Sequence, residues 1–250
     1  MKRWTILALL ALLAVAGTAG SKVKNWGDDH MRVDGVKLEH KRMVEIEGDA
    51  DGRLELESAL GDMEIRGVPG NTVRLRVEIH EAEPGDISVE LSHGRLRLTS
   101  ASDNPGAIGD VWAEVPADLD LELSTGYGDM DVSSMNGSRR IILETGLGTI
   151  TAEDLEGVEE LEMSTGKGDL RLGPVKSMQM ADLSTGMGGI KVRDAQVEEL
   201  EVGSGMGGID FLDCDLGLVS GGTGMGKVRF KRTEYRRSDV SSGWGGVHGD

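Results

Sequence analysis

The chain has 250 residues, and its 44 acidic and 27 basic side chains give a net charge of -17. A chain this acidic repels nucleic acid and anionic membrane surfaces at long range, so we expect no nucleic-acid partner. Aromatic residues are only 3% of the sequence, glycines number 38, and the single cysteine, Cys214, excludes an internal disulfide, a composition typical of narrow, layered cores.

Residues 1–19 have the features of a secretory signal peptide. Two basic residues precede an apolar run from Ile6 to Ala16, and small residues follow up to Ala19, where we expect cleavage. The run is shorter than the roughly 20 apolar residues that span a bilayer, so a retained membrane anchor is the weaker alternative. We therefore expect an exported protein, periplasmic, secreted or at the cell surface, with no stable membrane span after cleavage.

Residues 20–120 alternate between apolar and polar side chains, but without a strict repeat. Two segments resemble the turn that recurs further along the chain, SALGDMEIRG at 58–67 and, more faintly, SHGRLRLT at 92–99. VRLRVEIH at 73–80 and DISVELS at 86–92 have the period of two that indicates strands. We predict an irregular N-terminal β region that is continuous with the rest of the fold.

Residues 121–250 repeat one short motif, for example STGMGGIKVR at 184–193. The first glycines of successive motifs are separated by 20, 20, 20, 19, 19 and 19 residues. A fixed period of this length is typical of stacked structural units. These first glycines are Gly126, Gly146, Gly166, Gly186, Gly205, Gly224 and Gly243.

Aligning the motifs on these glycines produces columns of like residues. Positions four and six after the glycine are apolar, which predicts a strand with one buried face, and further apolar columns lie three and five positions before it. A last column, nine positions after the glycine, contains Cys214, which we interpret as a small buried hydrophobe. Identity along each column favours parallel stacking over an antiparallel meander. We predict an all-β fold, a single-stack β-solenoid of about seven coils over 121–250.

A hydroxyl residue precedes each first glycine. Ser and Thr side chains bond nearby backbone groups in turns, so we predict that this column stabilises the glycine corner. Its members are Thr125, Thr145, Thr165, Thr185, Ser204, Thr223 and Ser242.

One residue between the two glycines of each motif varies freely. If the coils stack, these side chains form an exposed ridge along one corner, a candidate contact surface for an envelope protein or glycan. Thioethers favour Cu(I), so metal handling through the methionines is an alternative, although we predict no cofactor. The ridge consists of Tyr127, Leu147, Lys167, Met187, Met206, Met225 and Trp244.

The segment KVRFKRTEYRR at 227–237 is basic, against the overall charge. It is a candidate surface for an anionic glycan or another partner, or it discourages edge-to-edge pairing near the end of the solenoid. Its basic residues are Lys227, Arg229, Lys231, Arg232, Arg236 and Arg237.

Motifs for catalysis are absent from the sequence. The glycine turns lack the Gly-Lys-Ser or Gly-Lys-Thr ending and the helix of a phosphate loop, and they lack the repeated carboxylates of a calcium-binding β-roll. An isolated calcium site near Asp129 and Asp131 is a minor alternative. A carbohydrate-active solenoid enzyme would need acidic or basic groups that converge on one groove, and sequence alone shows none. We predict no enzymatic activity.

The segments GRLELESALGDMEIRG and VWAEVPADLDLELSTGYGDMDV, with the glycine turns that follow, resemble a bacterial envelope family of β-strand repeats. Its members have no known function and are usually called putative adhesins. The resemblance covers roughly residues 45–230 and implies an exported, non-catalytic β-solenoid, but it supplies no functional residues. End-to-end self-association of the rods is a further expectation.

Overall fold

The computed structural model describes residues 23–24, 31–49 and 51–249, and the predicted signal peptide at 1–19 lies outside the described residues. The described residues form strands and turns, and no helix among them is long and apolar enough to cross a membrane. The first strands are β1 (Val23–Lys24), β2 (Met31–Val33), β3 (Val36–Leu38), β4 (His40–Gly48), β5 (Arg53–Ser58), β6 (Met63–Val68), β7 (Val73–Glu81), β8 (Ile87–Ser92), β9 (Arg95–Ser100) and β10 (Ala107–Pro116).

From residue 120 onward, longer and shorter strands alternate along the chain. Each long strand and the short strand that follows it make up one coil, and β15 lies in the segment that connects two coils. These strands are β11 (Asp120–Tyr127), β12 (Met130–Ser133), β13 (Arg140–Leu147), β14 (Ile150–Glu153), β15 (Leu155–Glu156), β16 (Glu160–Lys167), β17 (Leu170–Leu172), β18 (Val175–Met187), β19 (Ile190–Arg193), β20 (Ala195–Met206), β21 (Ile209–Leu212), β22 (Asp215–Met225), β23 (Val228–Lys231), β24 (Glu234–Trp244) and β25 (Val247–Gly249).

The long strands and the short strands build two separate parallel sheets. Ile150, Leu170 and Ile190 pair in register on consecutive short strands and therefore lie in a single file. Between the sheets runs one continuous apolar core, in which all three side chains are fully buried. Seven strand pairs, from β11–β12 to β24–β25, are separated by six stacking steps. The prediction of a β-solenoid with coils of about 20 residues is confirmed.

The core columns contain the residues that the sequence pattern assigned to them. Phe211 and Phe230 stack with ring centroids 4.6 Å apart, which continues one column through two coils. Cys214 is only 4% exposed, and burial raises the pKa of its thiol. Its Sγ donates a hydrogen bond to the carbonyl oxygen of Leu212 at 3.2 Å. The interpretation of Cys214 as a small buried hydrophobe is confirmed.

Both glycines of a corner are needed where coils stack closely, and the second is needed for its backbone conformation as well. A Cβ on the first glycine, such as Gly166, would lie 2.7 Å from the carbonyl oxygen of Gly146 in the coil below. The second glycine, such as Gly168, has a φ of +155°, which side-chain-bearing residues rarely adopt. Close stacking therefore fixes the first glycine, and the second needs its conformational freedom as well, because a Cβ on Gly168 would also overlap the carbonyl oxygen of Gly148.

The predicted role of the hydroxyl column is also confirmed. The hydroxyls of Thr145, Thr165 and Thr185 are buried and donate to the carbonyl of the second glycine in the preceding coil, at 3.0 to 3.1 Å. Each of these bonds links two coils at the corner. Ser204, Thr223 and Ser242 make the same bond in the later coils.

Glycine does not recur at the second corner of the coil, where the short strand ends, although Gly173 with a φ of 114° follows β17. Instead, the residue eight positions after the first glycine takes up the left-handed conformation, with φ near 50° in Asp154, Asp194 and Asp213. Aspartate tolerates this region because its short polar side chain bonds locally. The period of the coils also changes near here, because a β-bulge between Val175 and Met178 accommodates one extra residue.

The N-terminal strands cover one end of the stack. Met63 pairs in parallel with Met130, so the segment at 58–67 is a coil turn as expected. The segment at 92–99 is not a coil turn, and that expectation was wrong. It forms an antiparallel hairpin of β8 and β9, because His93 and Gly94 both have positive φ, as a tight hairpin turn requires. Strands β9 and β10 pair with β5 and β6 and so protect the edge of the first coil.

Candidate functional site

The seven ridge residues form one exposed file along the glycine corner. Parallel pairing aligns each with the next, from Tyr127 beside Leu147 to Met225 beside Trp244. The exposed fraction of the apolar members runs from 36% for Leu147 to 80% for Trp244, and Lys167 is also exposed. The structure thus brings together all seven residues of this candidate site.

The backbone of the ridge is held by hydrogen bonds between coils. The N–H of Gly168 donates to the carbonyl of Met187 at 2.9 Å, and the N–H of Gly188 donates to that of Met206 at the same distance. The flanking glycines have no side chains to cover the ridge residue. Apolar side chains are therefore presented to solvent from a rigid support at intervals of about 4.8 Å, the spacing of neighbouring strands.

The ridge can make apolar contacts but offers little for catalysis. Met187, Met206 and Met225 place three thioethers on consecutive coils, with Trp244 after them. In the described part of the chain, no group of three or more His, Cys, Asp or Glu side chains is arranged to hold a metal ion. Contact with a partner is the chemistry that this surface supports best.

The basic patch at 227–237 is not one surface. Lys227, Arg229 and Lys231 lie on the corner and the short-strand sheet, whereas Arg236 and Arg237 lie on β24 of the long-strand sheet. Arg232 pairs with Asp213 at 2.6 Å, Arg229 pairs with Asp210 at 3.0 Å, and Arg236 pairs with Glu198. The chain passes from β23 in one sheet to β24 in the other within this segment, so continuity in sequence does not produce continuity in space.

A different group of cations meets on the outer face of the short-strand sheet. Lys191 and Arg193 on β19 and Arg229 and Lys231 on β23 flank β21, which carries the shorter side chain of Asp210. The difference in length leaves a notch of about 350 Å³. We call this the basic notch. Sequence reading missed it because the cations of its two walls are 36 to 40 positions apart and meet only through coil register.

The outer face of the long-strand sheet is acidic. Glu162, Asp182 and Glu201 lie side by side on three consecutive coils. Burial, together with the charges of Glu201 and then Glu162, raises the pKa of Asp182 to about 6. Burial and the repulsion between stacked carboxylates explain this pKa without a catalytic role, and these acids lie on the sheet opposite the basic notch.

Replacing Asp182 with asparagine should stabilise the protein above pH 6. Because folding raises the pKa of Asp182 from 3.8 to about 6, folded-state stability falls as pH rises between these values. Asparagine carries no charge and therefore removes the repulsion. Because solvent screens this partly exposed carboxylate, we expect the free energy of unfolding to rise by about 1 kcal/mol. Urea unfolding of D182N and of the unmodified protein, below pH 3.8 and above pH 6, measures the difference in the free energy of unfolding. An equal effect at both pH values, or in D239N, which stacks on Ser220, would contradict the explanation.

Asp129, one of the two residues of the alternative calcium site, has a structural role at the coil corner. The Oδ1 atom of Asp129 accepts the backbone N–H of Thr149 at 2.7 Å, and that of Asp169 accepts the N–H of Gly189 at 2.9 Å. These carboxylates stabilise the corner of the following coil. Asp131 lies on the outer face of β12 and is separated from this role.

A further concave surface lies on the N-terminal part of the short-strand sheet. It encloses about 680 Å³ around Trp112, with Arg76 positioned 5.8 Å from the centroid of the indole ring. Its charges compensate each other, as Arg74 lies 3.6 Å from Glu47 and 3.9 Å from Glu114. This surface therefore has few unpaired polar groups to offer a ligand.

Stacked coils with exposed columns in register define the class of this molecule as a β-solenoid repeat protein. Within that class, the chain belongs to the Toastrack DUF4097 family, whose model matches residues 22–215. The family assignment agrees with the resemblance that the repeated motifs indicate. No curated protein matches the sequence.

Solved structures to which this chain is similar have low sequence identity to it. One described as a putative adhesin from Bacteroides fragilis NCTC 9343 has a TM-score of 0.58 and 13% identity, and the match covers 84% of this chain and 97% of that chain. A putative lipid binding protein from Parabacteroides distasonis ATCC 8503 has a TM-score of 0.48, 14% identity and coverage of 84% and 97%. A putative adhesin from Parabacteroides merdae ATCC 43184 has a TM-score of 0.47 and 13% identity, and the match covers 85% of this chain and 97% of that chain. At 13% identity, the likeness to the Bacteroides fragilis structure concerns the fold alone.

Proposed function

We propose that this protein is an exported, non-catalytic binding protein of the cell envelope that contacts an envelope protein or glycan through the ridge. The exposed file of Met187, Met206, Met225 and Trp244 is the observation that carries this proposal. The backbone that carries these side chains is already held by hydrogen bonds between coils, so a partner that covers them has only side chains to order. Contiguous apolar surface of this kind is a mark of interaction sites.

Membership of the Toastrack family and the description of the Bacteroides fragilis structure as a putative adhesin support a binding role. The same descriptions support a location at the envelope or outside the cell, and the sequence of residues 1–19 supports export. A carbohydrate-active enzyme is the less favoured alternative, and a screen for new reducing or unsaturated ends in polysaccharides tests it.

Cu(I) handling is the second candidate, because the thioethers of Met187, Met206 and Met225 stand on consecutive coils. Titration of the purified protein with Cu(I) under reducing conditions distinguishes the two. The binding proposal expects no site stronger than about micromolar, and a tight site lost in M206A would favour metal handling instead.

The binding proposal is tested with one variant on the ridge and one off it. Met206→Glu places a charge in the centre of the apolar file and should reduce retention of an envelope partner by at least about tenfold. Met180→Glu is the matched control, since Met180 is 45% exposed and Met206 is 44%, but Met180 lies in the middle of β18, away from the ridge residue Met187 at the end of that strand. The measurement is the amount of each component retained from native envelope fractions by immobilised protein.

The control variant should retain the same components as the unmodified protein. Equal retention by all three proteins would show that the ridge is not the contact surface. Loss of retention in both variants, with unchanged circular dichroism, would show that any added negative charge is sufficient and would also contradict the proposal.

A further inference from the structure

The basic notch concentrates positive charge on an acidic protein. Its lining contains the four cations Lys191, Arg193, Arg229 and Lys231 and one carboxylate, that of Asp210, so its net charge is +3. The whole chain carries -17. Local charge of opposite sign to the rest of the protein produces a potential that attracts an anion to one place and repels it elsewhere.

Most of this charge is not used within the fold. Only Arg229 forms an ion pair, with Asp210 at 3.0 Å, while Lys191, Arg193 and Lys231 form no ion pair within the described residues. All four cations are exposed. By contrast, Arg232 and Arg236 nearby are both paired with acidic residues of preceding coils. Lys191 and Arg193 therefore remain available to a ligand, and Lys231, whose charge also helps to lower the pKa of Asp213, faces the same opening.

The dimensions of the notch fit an extended chain rather than a compact ligand. The two walls stand on strands that flank β21, so their backbones are about 10 Å apart, twice the spacing of neighbouring strands. Along each wall, the two cations are two residues apart, or about 7 Å. The notch is open at the surface, and a linear polymer can lie along β21 with cations on both sides.

The floor of the notch distinguishes between kinds of anionic polymer. Leu212 is partly exposed there and offers an apolar contact, while Asp210, held by Arg229, can accept a hydrogen bond from a hydroxyl. Phe211 is 1% exposed, so no aromatic ring of the notch is available for stacking with nucleic-acid bases. Hydroxyl groups, apolar C–H faces and repeated negative charge are combined in acidic polysaccharides.

We infer that the basic notch binds an acidic, carboxylate-bearing polysaccharide along β21. The carboxylates pair with Lys191, Arg193 and Lys231, and Arg229 stays paired with Asp210. This surface lies on the short-strand sheet and is separate from the ridge, so the inference does not depend on the proposed function.

The test is binding of a fluorescently labelled oligogalacturonate to the full chain, measured by anisotropy at physiological ionic strength. The double variant R193A/K231A should weaken binding at least tenfold. The matched control is R97A/K176A, which removes the same charge from exposed residues outside the notch. The ridge variant M206E should bind as the unmodified protein does, which separates this test from that of the proposed function.

Four results would overturn the inference. They are no binding of the oligogalacturonate to the unmodified protein, an equal loss in both double variants, and competition by inorganic phosphate or polyglutamate that is at least as effective on a molar basis. Tighter binding of a single-stranded oligonucleotide of the same length is the fourth. A selective loss in R193A/K231A with an unchanged circular dichroism spectrum would establish the site.

Discussion

Replacing Gly168 with alanine should lower the free energy of unfolding by about 4 kcal/mol, from backbone strain combined with overpacking. Gly168 has a φ of +155°, and a Cβ there would overlap the carbonyl oxygen of Gly148 in the coil below. Neither group can move without separating the two coils, because both belong to the hydrogen-bonded corner. Urea or guanidinium unfolding of G168A measures the loss.

The chain offers a matched control in Gly203→Ala. Gly203 lies in β20, its φ is ordinary, and a Cβ there would meet no atom within 4 Å. The same chemical change should therefore be neutral or stabilise by less than about 1 kcal/mol. Comparable destabilisation in G203A and G168A would show that stacking at the corner is not the cause.

Replacing Glu81 with alanine should cost about 3 kcal/mol, because it leaves buried donors unsatisfied. The side chain of Glu81 is only 1% exposed and accepts the backbone N–H of Gly85 at 2.7 Å and of Ile87 at 3.0 Å. It also pairs with Arg42 at 3.0 Å. These contacts hold the region where β7 connects to β8. Chemical unfolding of E81A measures the cost.

The destabilisation caused by E81A should be smaller at acidic pH than at neutral pH. Burial alone would raise the pKa of Glu81, but hydrogen bonds from Gly85, Ile87 and Arg42 outweigh burial and lower it below 4.5. A lowered folded-state pKa means that the stabilisation is present above pH 4.5 and is lost as pH falls through the folded value. The difference in the free energy of unfolding between E81A and the unmodified protein should therefore become smaller at acidic pH. The exposed neighbour Glu83 is the control, and an E83A variant as unstable as E81A would contradict the explanation.

The sequence allowed the solenoid to be predicted because its constraints act on single residues at a fixed period. A glycine such as Gly166 is required wherever backbones approach closely, and Ile150, Leu170 and Ile190 recur because each contacts the same residue type above and below. The exposed ridge was predicted from the same parallel register of the coils. Periodic contacts leave a periodic signal in the sequence.

Other features left no such signal. The second corner uses Asp194 and Asp213, which are ordinary surface residues in composition, and the left-handed conformation becomes evident only from the backbone. The turn at His93 and Gly94 shares a glycine with the coil corners but reverses the chain within one sheet. The basic notch depends on which residues of three coils meet, so a run of basic residues at 227–237 was a poor guide to it.

The stacking of the coils is tested most directly by distances along the ridge. Nitroxide labels at cysteines that replace Tyr127 and Trp244 are separated by six stacking steps, or about 29 Å, and labels at Leu147 and Met225 by four steps, or about 19 Å. Cys214 is buried and stays unlabelled. Double electron–electron resonance should give two distances that differ by about two strand spacings, close to 10 Å. Equal distances, or a shorter one for the outer pair, would contradict parallel coils that present the ridge in a single file.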